Sequence, residues 1–207
     1  MTVEAEPLDV DLGAWDAWSP AEAARHLGTL KAPWYVAAGW ALDLFLGRQT
    51  REHDDLEIGV PSHRFDEVRK ALVDFELVVV GDGQAWPMTD AALRAHHQTW
   101  VRDGRSSPWR VDVFREPWEG NTWIYRRDPR IRLPASRLIS RTRDGIPYVQ
   151  PEVVLLFKAK AARPRDETDF TTVMAHLDSR RRRWLRDSLG LVHPGHRWLE
   201  RLSSMEA

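Results

Sequence analysis

Ala38-Gly39-Trp40-Ala41-Leu42-Asp43-Leu44-Phe45-Leu46, followed by His53-Asp54-Asp55-Leu56-Glu57-Ile58-Gly59-Val60, is the segment around which the rest of the sequence can be ordered. The residues before it, Trp34-Tyr35-Val36-Ala37, read as a short buried strand. That strand ends at Gly39, and apolar residues then recur at helical spacing from Trp40 until Gly47, a natural C-terminal stop. Leu56 to Val60 alternates as a strand should. Side chains at i and i+2 leave a strand on the same face, so Asp55 and Glu57 converge while Leu56 and Ile58 turn toward a core. Two readings fit this pair. It can be a solvated edge, or it can hold a cation between acids that would otherwise repel. Hard oxygen donors in a chain without Cys suit Mg²⁺.

A third carboxylate bears on the choice. Trp109-Arg110-Val111-Asp112-Val113-Phe114 reads as a strand with Val111 and Val113 on one face and Asp112 on the other, beside Arg110 and Phe114. A buried Asp in mid-strand requires a partner. One sheet can bring it beside Asp55 and Glu57, and three acids can cage two Mg²⁺ ions, an arrangement that clamps a phosphate chain and an attacking oxygen for in-line displacement. The strand–Gly–helix turn at Gly39 adds N–H groups on which an anion can sit, although most such turns only turn the chain.

Outward from this centre, Ser19-Pro20-Ala21-Glu22 is a capping box opening a helix to about Leu27. Ser62 is expected to cap a helix over 62–74 with Phe65, Val68 and Leu72 on one face, followed by a strand over 75–80 and a loop over 81–93. Strands over 97–102 and 109–114 flank the turn Asp103-Gly104-Arg105-Ser106. Further strands are expected over 122–126 and 137–140, with a turn at Asp144-Gly145 and Ile146-Pro147-Tyr148-Val149 leading out of the sheet. At Pro151 the pattern becomes helical. A helix through about Ala162 is broken by Pro164, and two or three more follow, Gly190 ending one and Pro194 starting the last. The expected architecture is α+β: a mixed sheet with flanking helices over 1–149 and a small helical domain over 150–207.

The 207 residues, 43% apolar and 29% charged, suit one domain or one with a small annex. The lack of Cys excludes disulfides, thiolate zinc sites and a Cys nucleophile. Met1-Thr2-Val3-Glu4-Ala5-Glu6 is acidic and unlike a secretory leader. Val153-Val154-Leu155-Leu156-Phe157, a longest apolar run, falls far short of the ~20 residues that span a bilayer. A soluble, cytoplasmic protein is expected, with no membrane partner. With 31 acids against 30 bases, no overall field announces a nucleic-acid binder. Of those 30 bases 26 are Arg, which reflects GC-rich coding or, alternatively, anion recognition by guanidinium groups. The run Arg180-Arg181-Arg182-Arg183 reads as a solvated helix face in preference to a phosphate patch.

The succession strand–Gly–helix, D-x-D/E strand and third acidic strand resembles the DNA polymerase beta-like nucleotidyltransferase superfamily, and within it the small aminoglycoside and lincosamide nucleotidyltransferases. Ala38-Gly39-Trp40-Ala41-Leu42-Asp43 is similar to their G-G-W-A-I/L-D, and Arg51-Glu52-His53-Asp54-Asp55-Leu56-Glu57 to their R-x-H-x-D-I/L-D/E. Val111-Asp112 stands where their third acid follows. The segment from Pro151-Glu152 to Lys158-Ala159-Lys160, with Arg165-Asp166-Glu167, resembles the start of their helical C-terminal domain. Ala38 replaces the first Gly, Glu57 replaces the commoner Asp, and fifteen residues separate Gly39 from Asp55. No departure removes a metal ligand.

The resemblance implies Mg²⁺-dependent transfer of a nucleoside monophosphate, AMP from ATP or from another NTP the corresponding group, to a hydroxyl of a small-molecule acceptor such as an aminoglycoside or lincosamide, with release of pyrophosphate. Asp55, Glu57 and Asp112 would hold the metals, and Asp112 would also accept the hydroxyl proton. Gly39, Arg51 and Lys158 would face the nucleotide. Lys160, two residues on, cannot share a helix face with Lys158, so at most one of them points into the cleft. His53 is assigned a loop-ordering hydrogen bond, and Asp43 a local pairing with Arg48 or Arg51. Asp166 and Asp169 orient Lys158 or cap their helix. A polycationic acceptor wants an acidic cleft, which Glu52, Asp54 and Asp103, or any other acids near the rim, can supply. The alternatives are a toxin-type nucleotidyltransferase acting on tRNA or protein, and a non-catalytic nucleotide-binding partner protein.

Overall fold

The computed structural model describes residues 6–204; residues 1–5, which carry most of the leader argument, lie outside them. The chain runs through α1 (Pro20–Leu27), β1 (Tyr35–Val36), α2 (Ala38–Leu46), β2 (Glu57–Pro61), a 3-10 turn (Ser62–Arg64) and α3 (Phe65–Ala71). Next come β3 (Glu76–Gly81), β4 (Gln84–Trp86), α4 (Asp90–Ala95), β5 (Gln98–Arg102) and β6 (Trp109–Glu116). β7 (Trp118–Glu119), β8 (Thr122–Ile124), β9 (Arg132–Pro134), α5 (Ala135–Leu138), β10 (Ile139–Arg141) and β11 (Pro147–Val149) follow. The end is helical: α6 (Pro151–Ala159), α7 (Pro164–Met174), α8 (Ser179–Val192) and α9 (Trp198–Ser203).

Among the described residues, eight strands form one mixed sheet in the order β10-β11-β1-β2-β6-β5-β3-β4, and β7-β8-β9 form a small second sheet. The expected α+β class holds. The β2–β6 pair is parallel and β5–β6 antiparallel, the latter closed by the turn read at Asp103-Gly104. The capping box forms as expected: Ser19 N donates to the Glu22 carboxylate at 2.8 Å and Glu22 N to Ser19 Oγ at 3.2 Å. Among the described residues no helix is long and apolar enough to cross a membrane.

Several local expectations fail for identifiable reasons. Ser62 caps nothing; it opens the 3-10 turn, and α3 ends at Ala71. The stretch 81–93 is not a loop. Asp82 and Gly83 both adopt positive φ (52° and 73°), and Gly81 pairs with Gln84, so this is a two-residue hairpin with the Asp-Gly preferred there. Thr89 then caps α4. Residues 137–140 divide between α5 and β10. Residues 147–149 stay in the sheet as β11, between β10 and β1, instead of leading out of it. α6 stops at Ala159, and Pro164 opens α7 at its first turn, where a missing N–H costs nothing. Gly190 lies inside α8, held by the buried Leu185 and Leu189, and Pro194 sits in the turn before α9.

One buried cluster runs from Trp18 and Leu27 through the sheet residues Ile58 and Val113 to Leu155, Phe170, Trp198 and Leu202. It crosses the 149/150 boundary without a break. In α6, Val153, Val154, Leu155 and Leu156 are all buried, so this helix seals the sheet against the C-terminal helices. Leu155→Ala should therefore lower stability by about 2–5 kcal/mol. Urea unfolding followed by Trp fluorescence and far-UV circular dichroism should shift as one coincident transition; separate transitions would mean that the two parts unfold independently.

Candidate active site

The parallel β2–β6 register sets Glu57 opposite Asp112, on one face of the sheet. Asp55 precedes β2 by two residues. Glu57 and Asp112 thus share a face, with Asp55 near enough to act on both, and the electrostatic cost is visible. Burial, reinforced by the charges of Asp55 and Asp112, pushes Glu57 up to about 8. Burial, with Asp55 adding to it and a hydrogen bond from Gln98 opposing it, lifts Asp112 to about 7. Asp55 is raised by burial and by Asp54. Asp112 Oδ2 accepts from Gln98 Nε2 at 2.5 Å, whereas its buried Oδ1 has no hydrogen-bond partner.

Above these acids lies a cavity of about 450 Å³, floored by Tyr35, Glu57, Phe114 and Glu116 and walled by the start of α2, by α6 and by the start of α7. Asp112, buried, is not among the lining residues. Of the nucleotide-facing residues expected from sequence, Gly39, Arg51 and Lys158 all line it. Gly39 is required by packing: a Cβ there would stand 2.4 Å from Arg51 Nη2 and 2.7 Å from the His53 ring. The space a side chain would take is filled by Arg51 and His53. The preceding residue, Ala38, has φ +48°, a left-handed conformation that costs an L-residue roughly 1–2 kcal/mol.

His53 is the keystone of the connecting loop. Its Nε2 lies 2.6 Å from Asp43 Oδ2, and its ring stacks on Trp40 at 4.4 Å. Asp43 Oδ1 accepts from Thr50 Oγ1 at 2.5 Å and Thr50 N at 3.1 Å. The expected pairing of Asp43 with Arg48 or Arg51 is thus replaced by His53 and Thr50, because the loop folds back over α2. Lys158 Nζ lies 3.1 Å from Asp166 and 2.9 Å from Asp169. Asp166 also accepts from Arg163 N at 3.0 Å, so it both orients the lysine and caps α7. Arg51 Nε is 3.8 Å from Asp169. Contrary to the one-lysine expectation, Lys160 lines the cavity too, since α6 ends at Ala159 and the cavity curls around that end.

Sequence reasoning missed Glu116, Arg126, Arg127, Arg163 and Arg165, all in the cavity wall. Glu116 was legible, being in phase with Asp112 and Phe114 on β6. The arginines carried no periodic signal. Four acids, Asp54, Asp55, Glu57 and Glu116, line the cavity among seven Lys and Arg side chains; of the three candidates named from sequence only Asp54 reaches it, while Asp103 pairs with Arg110 at 2.6 Å. Arg181 in the four-Arg run is not simply solvated, lying 2.7 Å from Asp178 and 3.4 Å from Glu152.

The donor set suits a hard cation: carboxylate oxygens only, one of them buried without a partner. Among the described residues no three His, Asp or Glu side chains are gathered tightly enough to hold an ion as they stand, so a cation would have to draw the acids together.

Residues 22–130 match the family described as aminoglycoside-2''-adenylyltransferase, just over half of the chain. The chain belongs to this family. The 2''-aminoglycoside nucleotidyltransferases of Escherichia coli and Klebsiella pneumoniae are 43% identical to it over 42 residues, which is 20% of this chain and only 23% of theirs. The solution structure of the antibiotic-resistance factor ANT(2'')-Ia shares its fold at a TM-score of 0.52 and 15% identity, over 90% of this chain and 92% of that one. The lincomycin-bound lincosamide antibiotic adenylyltransferase LnuA does so at 0.52 and 15%, over 74% and 93%. The family and both folds agree with the resemblance read from residues 38–57.

Two outcomes test this geometry. Metal-free protein should lose stability as pH rises from about 6.5 to 8, because folded Glu57 still binds a proton that the unfolded chain, with an ordinary Glu value of about 4.3, has already lost. Below that window His97, held low by burial, works in the opposite sense. Urea titrations in EDTA should show Glu57→Gln with a flatter slope and higher stability at pH 8; equal slopes would refute the buried-acid account. Ala38→Gly should leave the fold intact and raise stability by up to about 1 kcal/mol, since Gly adopts the left-handed conformation freely. A lower melting temperature would show that the strain is absent.

Proposed function

We propose that this protein is a divalent-cation-dependent nucleotidyltransferase that moves a nucleoside monophosphate, AMP from ATP in the first place, onto a hydroxyl of a small molecule and releases pyrophosphate. The observation that carries this reading is the in-register pair Glu57 and Asp112, with Asp55 beside them, beneath a cavity rich in cations. The family's description points the same way. Aminoglycosides and lincosamides are the acceptors that the relatives' names bring.

Asp55, Glu57 and Asp112 would hold Mg²⁺, which when bound neutralises phosphate charge and polarises the reacting oxygens. The chain's own residues do the rest. Lys158, fixed by two buried aspartates, and Arg51, Arg163 and Arg165 present cations to the triphosphate. Asp112, with its proton affinity lifted by burial, receives the proton of the acceptor hydroxyl. The cavity volume falls within the range of small-molecule sites, which favours a small acceptor over tRNA or a protein. Residues 1–149 supply the acids and 150–207 part of the cationic wall. A reaction needing NTP and Mg²⁺ fits the cytoplasm.

The test is pyrophosphate release alongside nucleotide affinity. Asp112→Asn should lower turnover by about 100-fold or more while keeping more ATP·Mg²⁺ affinity than the other two acid variants. Asp55→Asn and Glu57→Gln should lose both, and full turnover in Asp55→Asn would rule the reading out. Lys158→Ala should weaken ATP binding about tenfold and Lys160→Ala much less, each compared at its own melting temperature. Equal, negligible effects would remove Lys158 from the site.

A further inference from the structure

Apart from Lys160 at the end of α6, the cations of the cavity fall into two sets. Lys158, Arg163 and Arg51 are tied to the α7 carboxylates Asp166 and Asp169, and Arg165 acts on Asp55 and Glu57. This is the set assigned above to the triphosphate. The second set, Arg126 and Arg127, follows β8 and acts on Glu116, with Arg126 also acting on Asp112. It lies toward the far end of β6: Glu116 is four residues beyond Asp112, roughly 13 Å along the strand.

The second set is built. Arg126 and Arg127 each stack over Phe157 at 5.1 Å, and Arg126 also over Phe114 at 5.6 Å. Arg127 Nη1 donates to the Phe157 carbonyl at 2.9 Å and to Tyr125 Oη at 3.4 Å. Arg126 is 3.3 Å from Glu116, so the one buried acid at this end is already neutralised. Arg127 has no carboxylate partner among the described residues. Beyond these pairs the end is positive: burial, with the guanidinium groups of Arg126, Arg115 and Arg127, holds nearby His97 low, at about 4.

We infer that Arg126 and Arg127 form an anion seat at the acceptor end of the cavity, and that the acceptor is a hydroxylated small molecule carrying a phosphate or carboxylate, not a polycation. This rests on the nucleotidyl-transfer reading. A planar guanidinium held over an aromatic ring matches either anion bidentately. With Asp55 and Glu57 committed to the metal, an acceptor bearing several ammonium groups would meet these two guanidiniums with Asp54 and the already paired Glu116 as the remaining acids of the cavity wall. The sign of the cavity thus departs from the acceptor in the family's description.

The experiment is calorimetric titration of the protein preloaded with Mg²⁺ and a non-hydrolysable ATP analogue, so that the triphosphate cations are occupied. Glucose 6-phosphate, glucuronate, glucose and tobramycin are the probes. At least one of the two anionic probes should bind tenfold or more tighter than glucose, and tobramycin no tighter than glucose. Whichever of the two binds better identifies the anion. Arg127→Gln, and Arg126→Gln combined with Glu116→Gln to avoid stranding a buried carboxylate, should erase that advantage without changing analogue affinity. Tobramycin binding tightest, anionic probes equal to glucose, or an advantage untouched by both variants would each overturn the inference. Failure of the analogue itself to bind would instead overturn the nucleotidyl-transfer reading, and this inference with it.

Discussion

Glu57 and Asp112 face the same side of two adjacent parallel strands, in register, with Asp55 at the entrance, and the rest of the molecule is arranged around that concentration of like charge. Parallel pairing needs a long crossover, and the segment from α3 to β5 provides it while adding three antiparallel strands at one edge. Val111, Val113, Leu56 and Ile58 anchor the same strands from the other side, so the acids cannot turn away without exposing apolar surface. The result is a pair of carboxylates whose ionisation is resisted by burial and whose proton affinity is correspondingly high. A cation would relieve the resistance, which makes the site an energetic demand for a charged ligand and not only a shape.

Holding that arrangement requires a second layer. The loop between α2 and β2 is fixed by Asp43, His53 and Trp40 through one hydrogen bond and one ring stack, and Gly39 is small because Arg51 and His53 occupy its space. On the opposite wall, two buried carboxylates of α7 hold Lys158 in place. A lysine otherwise gives up considerable side-chain freedom to be ordered, so anchoring it before a ligand arrives removes that cost from binding. Ala38 fits the same picture from the other direction: its strained φ persists because the strand before it and the helix after it are both fixed by packing.

Family membership and fold constrain the chemistry at the acids more than the acceptor. Glu57 and Asp112 lie on strands whose register is set by the core, whereas the proposed acceptor end is built from the residues after β8 and the end of β6. Loops vary more readily than the elements they connect. Two adjacent arginines lie there, one paired with Glu116 and one without a carboxylate partner among the described residues, and they are the basis for the anionic acceptor proposed above.

The sequence by itself determined the segment from Trp34 to Val60, the helical caps at Ser19 and Gly47, the hairpin of β5 and β6, and the three acids. Each of these rests on local periodicity or on a turn residue with a fixed conformational role, and local rules are written in adjacent residues. It was silent where distant segments meet. Nothing near Tyr148 says that β11 will lie beside β1, and nothing near Asp43 names His53 as its partner. Arg126, Arg127, Arg163 and Arg165 are unremarkable in a chain with 26 arginines until the fold brings them to one cavity. The grouping of the acids was therefore legible from spacing, and the chemistry proposed for them came from the resemblance. The sign of the cavity was decided by tertiary structure, because charge acts through space and the residues that set it are far apart along the chain.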